Sequence, residues 1–281
     1  APHSMRAAMR VLLTNDDGIE AEGLQALRRA LRGVPGIELE VIAPDGNRSA
    51  TARSITTRRP LVVREVDFGD GSVGYATDGT PVDCVRLGQL GLIDSFAAEL
   101  VVSGINHGSN LGDDVTYSGT VAAALEAIVL GLPGIAVSQQ SRARDFDFRA
   151  GDAFEFEEGA AFAARVVERF ATVGLPPGTL LNINVPGATP TGVDVVRLGK
   201  RVYDDELRLV GDGPDGRRYL IYGEAAGMQE EAGTDLAAVA AGHVAVTPLH
   251  FDLTDLAGID AVARAELSAL LAPAGGEATP P

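Results

Sequence analysis

The stretch Val11-Leu12-Leu13-Thr14-Asn15-Asp16-Asp17-Gly18 decides the reading of this chain. A short apolar run of this kind forms a buried strand, and here it ends directly in two adjacent carboxylates. Asn, Asp and Gly are common turn formers, so an ordinary turn is one reading. The other is a ligand site. In open α/β sheets ligands collect beyond the C-terminal ends of the strands, and paired acids repel each other unless a cation neutralises them. Two more polar clusters follow apolar runs in the same way: Asn47-Arg48-Ser49 after Val41-Ile42-Ala43, and Asn106 after Leu100-Val101-Val102. If these runs are neighbouring parallel strands, the clusters meet at one sheet edge. Two carboxylates, a hydroxyl and an amide then surround one point. That is an all-oxygen cage for a hard divalent cation, and it makes metal-assisted phosphate chemistry the leading idea.

The flanking sequence supports such a sheet. Leu24, Leu27 and Leu31 recur at helical spacing up to Gly33, and Leu39 to Ala43 reads as a second strand stopped by Pro44. Leu61 to Val66 and Gly74 to Thr77 read as a hairpin. Thr80-Pro81-Val82-Asp83 opens a helix with a capping hydroxyl, Pro in the first turn and an acid. Leu100 to Ser103 and Ile135 to Ser138 are strands separated by a helix over Ser118 to Gly131, which is apolar nearly all round and so is buried against the sheet. Ala153 to Phe170 reads as an amphipathic helix and Leu180 to Val185 as a strand. Strands alternating with helices predict a Rossmann-like, doubly wound, mostly parallel α/β sheet. Gly199 to Gly233, rich in Gly and charge with isolated tyrosines, reads as an extended hairpin or arm. Thr234 to Ala241 reads as a helix, His243 to Thr247 as a strand and Ile259 to Leu271 as a last helix; the tail after Pro273 reads as disordered.

Bulk composition narrows the partners. The 281 residues permit one large domain or one with an appended lobe, and 46% hydrophobic residues supply a sizeable core. Acidic residues outnumber basic ones by 39 to 23, a formal charge of -16. Such a surface repels nucleic-acid polymers and anionic membranes, while a local metal ion still permits small phosphate esters. No apolar run reaches the ~18 residues of a membrane span. The single cysteine, Cys84, and the lack of a long apolar core in Ala1 to Arg10 lead to the expectation of a reducing cytoplasm.

Other segments offer candidate contacts. Ser49 or Asn47 supplies a neutral oxygen in the functional reading of the second cluster, and Arg48 and Arg53 offer forked donors to a phosphate. The loop Ser103 to Asp114 is rich in Gly, which permits close backbone approach to a ligand. His107 within it reads equally as a proton donor or as a solvated side chain. Tyr117-Ser118-Gly119-Thr120 opens the buried helix, whose free N–H groups and partial positive charge suit a phosphate; Ser118 is also a plain N-cap. Gly69-Asp70-Gly71-Ser72-Val73-Gly74 matches a dinucleotide fingerprint, but it lies between two strands with no helix after it, so a hairpin turn is the better reading.

Taken together, the segments resemble the survival protein SurE family of 5'/3'-nucleotidases. The matching stretches are Leu12 to Ile19, Val41 to Asp45 with Asn47-Arg48-Ser49, Ser54-Ile55-Thr56, Gly79 to Val85, Ser103 to Asn106, Asn110 to Asp114, Tyr117 to Val121, Leu181 to Pro186, Gly233-Thr234-Asp235 and Val246 to Leu249. The resemblance covers roughly residues 9 to 256, one nucleotidase domain with 199–233 as its arm, and leaves 257–281 as a C-terminal helix and tail. It implies a phosphatase of nucleoside 5'- and 3'-monophosphates with one Mg²⁺ or Mn²⁺ per subunit. Its metal ligands carry over to Asp16, Asp17, Ser49 and Asn106, with Asp16 and Asp17 catalytic. Substrate contacts would come from Asn15, Asn47, Arg48, Asn110, Ser118, Gly119 and Thr120. The resemblance also implies homodimers or homotetramers built through C-terminal arms. Gly46 and Ser109 depart from the residues usual at their positions. A broad phosphomonoesterase or exopolyphosphatase, or a catalytically silent nucleotide sensor, are the alternative functions.

Overall fold

The alternating apolar runs become alternating strands and helices in the computed structural model, which describes residues 8–144, 153–203, 206–221, 226–265 and 267. The first half comprises β1 (Met9–Thr14), α1 (Glu22–Arg32), β2 (Ile37–Pro44), β3 (Val63–Asp67), β4 (Val73–Thr77), α2 (Pro81–Gln89), β5 (Leu100–His107), a 3-10 turn (Gly112–Thr116), α3 (Gly119–Val129) and β6 (Gly134–Gln139). There follow α4 (Glu157–Glu168), α5 (Phe170–Val173), β7 (Thr179–Val185), β8 (Gly192–Val195), β9 (Arg201–Tyr203), β10 (Arg208–Gly213), β11 (Gly216–Leu220), β12 (Ala226–Met228), α6 (Asp235–Ala240), β13 (His243–His250) and α7 (Leu256–Ala263). The chain divides into two compact units, 1–250 and 251–281, the second containing α7.

Among the described residues, nine strands form one sheet in the order β3-β4-β2-β1-β5-β6-β7-β13-β8. Strands β4, β2, β1, β5, β6 and β7 run parallel, β3 pairs antiparallel with β4, and β13 pairs antiparallel with β7 and parallel with β8. From β1 the chain winds outward through β2, then crosses back to lay β5 on the other side of β1. That reversal is a topological switch point, where the loops leaving β1 and β5 diverge to opposite faces and open a crevice. Register fixes which residues border it: Leu13 lies beside Val41 and Val102, and Thr14 beside Ser103.

Both faces of the sheet's centre are covered, so the inner ends of β1, β2 and β5 and the length of β6 are buried without alternation. Val11 and Leu13 pack with Leu24, Leu27 and Leu31 of α1 and Ala160 and Ala163 of α4. Leu12 points the other way, to Cys84 and Val85 of α2 and Ala123 and Ala127 of α3. Full burial of each such leucine contributes about 2 kcal/mol. Thr80 and Asp83 form a reciprocal capping box at the start of α2, with Pro81 in its first turn. Glu126 is the exception within the apolar α3. Its side chain is 1% exposed and meets Arg53 at 2.5 Å and Arg86 at 2.6 Å, which ties the loop after β2 to both helices of that face.

Several boundaries differ from the sequence reading. The helix expected from Ala153 begins at Glu157, because Phe154 and Phe156 stack on each other, centroids 5.6 Å apart, and pack edge-on against His107. Strand β8 has no apolar run to announce it: Gly192–Val195 alternates half-buried and exposed residues at the sheet border. Helix α7 starts at Leu256, before the expected Ile259, while residues 266 and 268–281, including the tail after Pro273, lie outside the described residues. Within Gly199 to Gly233, β9 pairs with β12 and β10 with β11, both antiparallel. Tyr222 lies outside the described residues. No helix among the described residues is long and apolar enough to cross a membrane.

Replacing Glu126 by Gln leaves two arginines converging on a neutral group. The expected loss is on the order of 2 kcal/mol, reduced from that of a fully buried ion pair because both arginines are part-exposed. A lower urea midpoint at unchanged slope is the expected result, and an unchanged midpoint contradicts it.

Candidate active site

The turn after β1 is built by its own side chains. Asn15 is fully buried; its Oδ1 accepts from Gly18 N (3.2 Å) and its Nδ2 donates to Gly18 O (2.9 Å). Gly18 takes a φ of 110°, and a Cβ there would meet the Gly46 backbone at 3.1 Å. Ile19 N donates to Pro44 O at 2.8 Å, which locks the turn to the end of β2. Asn15, expected at the substrate, thus spends its amide on the turn. The turn in return presents Asp16 and Asp17 at the switch point.

Asp16 is 2% exposed and lies beneath the first turn of α3. The Thr120 hydroxyl donates to its Oδ1. A Cβ on Gly119 would stand 2.8 Å from the Asp16 Cβ and Oδ2, so only glycine permits this approach. Burial first, and the neighbouring Asp17 carboxylate second, push the Asp16 carboxyl up to about 6 against the Thr120 hydrogen bond. The Asp17 side chain is 7% exposed. Its Oδ2 accepts from His107 N at 3.1 Å and lies 2.9 Å from His107 Nδ1, and its Oδ1 accepts from Asn47 Nδ2 at 3.4 Å.

The loop carrying Ser49 is stitched to the same point. Arg48 N donates to Asp16 O at 2.6 Å, Ala52 N to Tyr117 O at 3.2 Å, and Thr56 N to Asp83 Oδ1 at 3.1 Å. Asn47 Oδ1 accepts from Ser49 N at 2.8 Å, which leaves Ser49 exposed at the mouth. The Arg48 guanidinium pairs with Asp45 at 2.7 Å, so it is held at the loop's own base.

Asn106 ends β5, 7% exposed, and donates from Nδ2 to Gly108 O at 2.8 Å, which turns its amide oxygen away from that bond. Asn110 is anchored on every side. Its N–H donates to Asn184 Oδ1 (2.8 Å), its Nδ2 to Ser138 Oγ (2.8 Å), and its carbonyl accepts from Asn182 and Asn184 Nδ2 (both 3.0 Å). Ser118 caps α3 by accepting from Val121 N at 3.0 Å. Asp16, Ser49, Asn106, Asn110 and Ser118 line one cleft with Ala50, His107, Asp114 and Tyr117. Asp114 is held at that wall by Arg201 Nε at 2.7 Å and Tyr203 Oη at 2.7 Å, from the arm strand β9.

The sequence reading did not find the Asn182–Asn184–Ser138 lattice or the Asp114 wall. The alternation Leu181-Asn182-Ile183-Asn184, amides two apart in a buried strand, was its signal. No three His, Cys, Asp or Glu side chains gather as a metal group among the described residues. The cleft and the turn beside it offer the carboxylates of Asp16, Asp17 and Asp114, the His107 ring, and neutral oxygens of Ser49 and Asn106. That set suits a hard, partly hydrated cation and not zinc. A carboxyl pushed up to about 6 beside a second carboxylate is the mark of a site short of positive charge. Such a site, with the N-terminus of α3 beside it, can hold a phosphate ester against a cation.

Residues 11–205 match the family described as Survival protein SurE. The chain is 52% identical over 254 residues to the 5'-nucleotidase SurE of Rubrobacter xylanophilus, covering 89% of this chain and 95% of that protein. It is 46% identical over 250 residues to the 5'-nucleotidase SurE of Pelotomaculum thermopropionicum, covering 88% and 91%. Among solved structures, the SurE protein from Aquifex aeolicus is 38% identical with a TM-score of 0.76, covering 92% of this chain and 99% of that one. Fold and sequence agree over most of the length, and the chain belongs to the SurE family.

Proposed function

We propose that this protein is a divalent-metal-dependent nucleotidase that hydrolyses nucleoside 5'-monophosphates, and 3'-monophosphates as well, to nucleoside and phosphate. The observation that carries the reading is the meeting of Asp16 with Ser49, Asn106, Asn110 and Ser118 in one cleft at the switch point. The relatives named 5'-nucleotidase SurE support it. Asp16, Asp17, Ser49 and Asn106 would hold one Mg²⁺ or Mn²⁺ per subunit. When bound, that ion polarises a phosphoryl oxygen and lowers the pKa of a bound water.

The chain's own residues do the rest. The Gly119 N–H, with Ser118 and Asn110, cradles the phosphate and stabilises charge on its equatorial oxygens, while Thr120 holds Asp16 beneath them. Asp16 accepts the proton of the attacking water as the water oxygen bonds to phosphorus and the ester P–O bond breaks, and the departing ribose oxygen takes up a proton from solvent to leave as the hydroxyl. Asn47 and Arg48 act by placing Ser49. The negative formal charge of -16 disfavours nucleic-acid polymers. The single, buried Cys84 supports a reducing, cytoplasmic setting. Exposed Leu207, Leu209, Val210, Tyr219 and Leu220 in the arm support self-association into a homodimer or homotetramer.

Asp16→Asn is expected to cut kcat on AMP by several orders of magnitude with an unchanged circular dichroism spectrum; retained phosphatase activity sinks the assignment. Gly119→Ala forces Asp16 away from α3. It is expected to lower kcat by about 100-fold, the cost of an ångström-scale displacement, and wild-type turnover in that variant contradicts the close approach as a catalytic requirement.

A further inference from the structure

The reading above leaves His107 without a role, although it lines the cleft and touches Asp17. We propose that His107 is a positioning residue: its imidazole fixes the Asp17 carboxylate in the orientation that receives a divalent cation. The inference rests on the proposed metal role of Asp17 and goes beyond it.

A carboxylate's terminal torsion is broad and roughly two-fold, so a free Asp at this edge would sample many planes. Here one oxygen, Oδ2, receives both the His107 backbone N–H at 3.1 Å and the ring Nδ1 at 2.9 Å. An ionised carboxylate only accepts, so the Nδ1 facing it carries a hydrogen. With Oδ2 occupied by two donors, Oδ1 is the oxygen left for the site, steadied by Asn47 at 3.4 Å.

The ring is itself immobilised. Phe154 meets it edge-on at 5.2 Å and Phe156 at 4.8 Å, with interplanar angles of 84° and 76°. Phe156 is 1% exposed and belongs to the core that packs α1 and α4 on the sheet. Rigidity therefore passes from the core through Phe156 to His107 and on to Asp17. Groups that hydrogen-bond a metal-ligating carboxylate orient it, and their loss typically weakens metal binding by about 10- to 100-fold. The same contacts explain why 153–156 stays outside the helix that follows.

The test is Mn²⁺ binding to the metal-stripped full chain, measured by titration calorimetry without substrate. His107→Phe keeps the aromatic contacts and loses the donor; His107→Asn places an amide N–H near the Nδ1 position. The expected result is a Kd raised about tenfold or more in His107→Phe and held within about threefold of wild type in His107→Asn. Equal affinity of His107→Phe and wild type overturns the proposal, as does an Asn variant as weak as the Phe variant. A second measurement needs no variant: the imidazole ¹⁵N spectrum of wild-type protein is expected to show a hydrogen on Nδ1, and a ring whose Nδ1 carries none overturns the proposal. Asp17→Asn distinguishes the underlying reading. If it binds Mn²⁺ as tightly as wild type, the metal role of Asp17 falls and His107's role falls with it; if only His107→Phe is silent, the metal role stands and the proposal alone fails.

Discussion

A buried carboxylate pressed against the start of a helix is the constraint on which this structure turns. Asp16 sits where α3 begins, 2% exposed, with Thr120 donating to it and Gly119 leaving no room for a side chain. Burying a carboxylate, and burying it beside another, is unfavourable, and both push the Asp16 carboxyl upward. The helix N-terminus relieves part of that penalty through its partial positive charge. What remains is a site whose local electrostatics favour a cation although the protein as a whole is strongly acidic. A core element at lowest energy would have placed a neutral residue here, so the carboxylate is a cost to stability that the site's chemistry explains.

The surrounding structure holds that arrangement from three directions. The Asn15 turn locks β1 to β2, and the Arg48 N–H reaches back to the Asp16 carbonyl. The amides of Asn182 and Asn184 rise from β7 to grip Asn110. Asp235 accepts from Gly112 N and Gly199 N at 2.8 and 2.7 Å, so the turn after Asn110 and the base of the arm share one buried carboxylate. Each of these is a hydrogen-bonded buried polar group on rigid backbone, the means by which a site is kept preorganised.

Much of this was legible in the sequence. The apolar runs at Val11, Val41 and Leu100, each stopping at a polar cluster, told both the sheet and the edge where chemistry gathers. Capping at Thr80 and Ser118 was readable because side-chain and backbone needs coincide there. What was hidden depends on tertiary partners. Asn15 and Arg48 look like ligand contacts until Gly18 and Asp45 claim their polar atoms. Glu126 looks like a lone charge in an apolar helix until two arginines from other segments reach it. His107 stood between proton donor and solvated side chain because its neighbours, Asp17 and two phenylalanines, are remote in sequence.

The central claim is that the oxygen donors around Asp16 are catalytic only with a divalent cation. The most direct measurement is phosphate release from AMP by metal-stripped protein, before and after adding Mn²⁺ or Mg²⁺. Release is expected to be near zero without metal and restored by either ion. Undiminished release from the stripped protein, or none with any metal from protein shown to be folded, would contradict the claim.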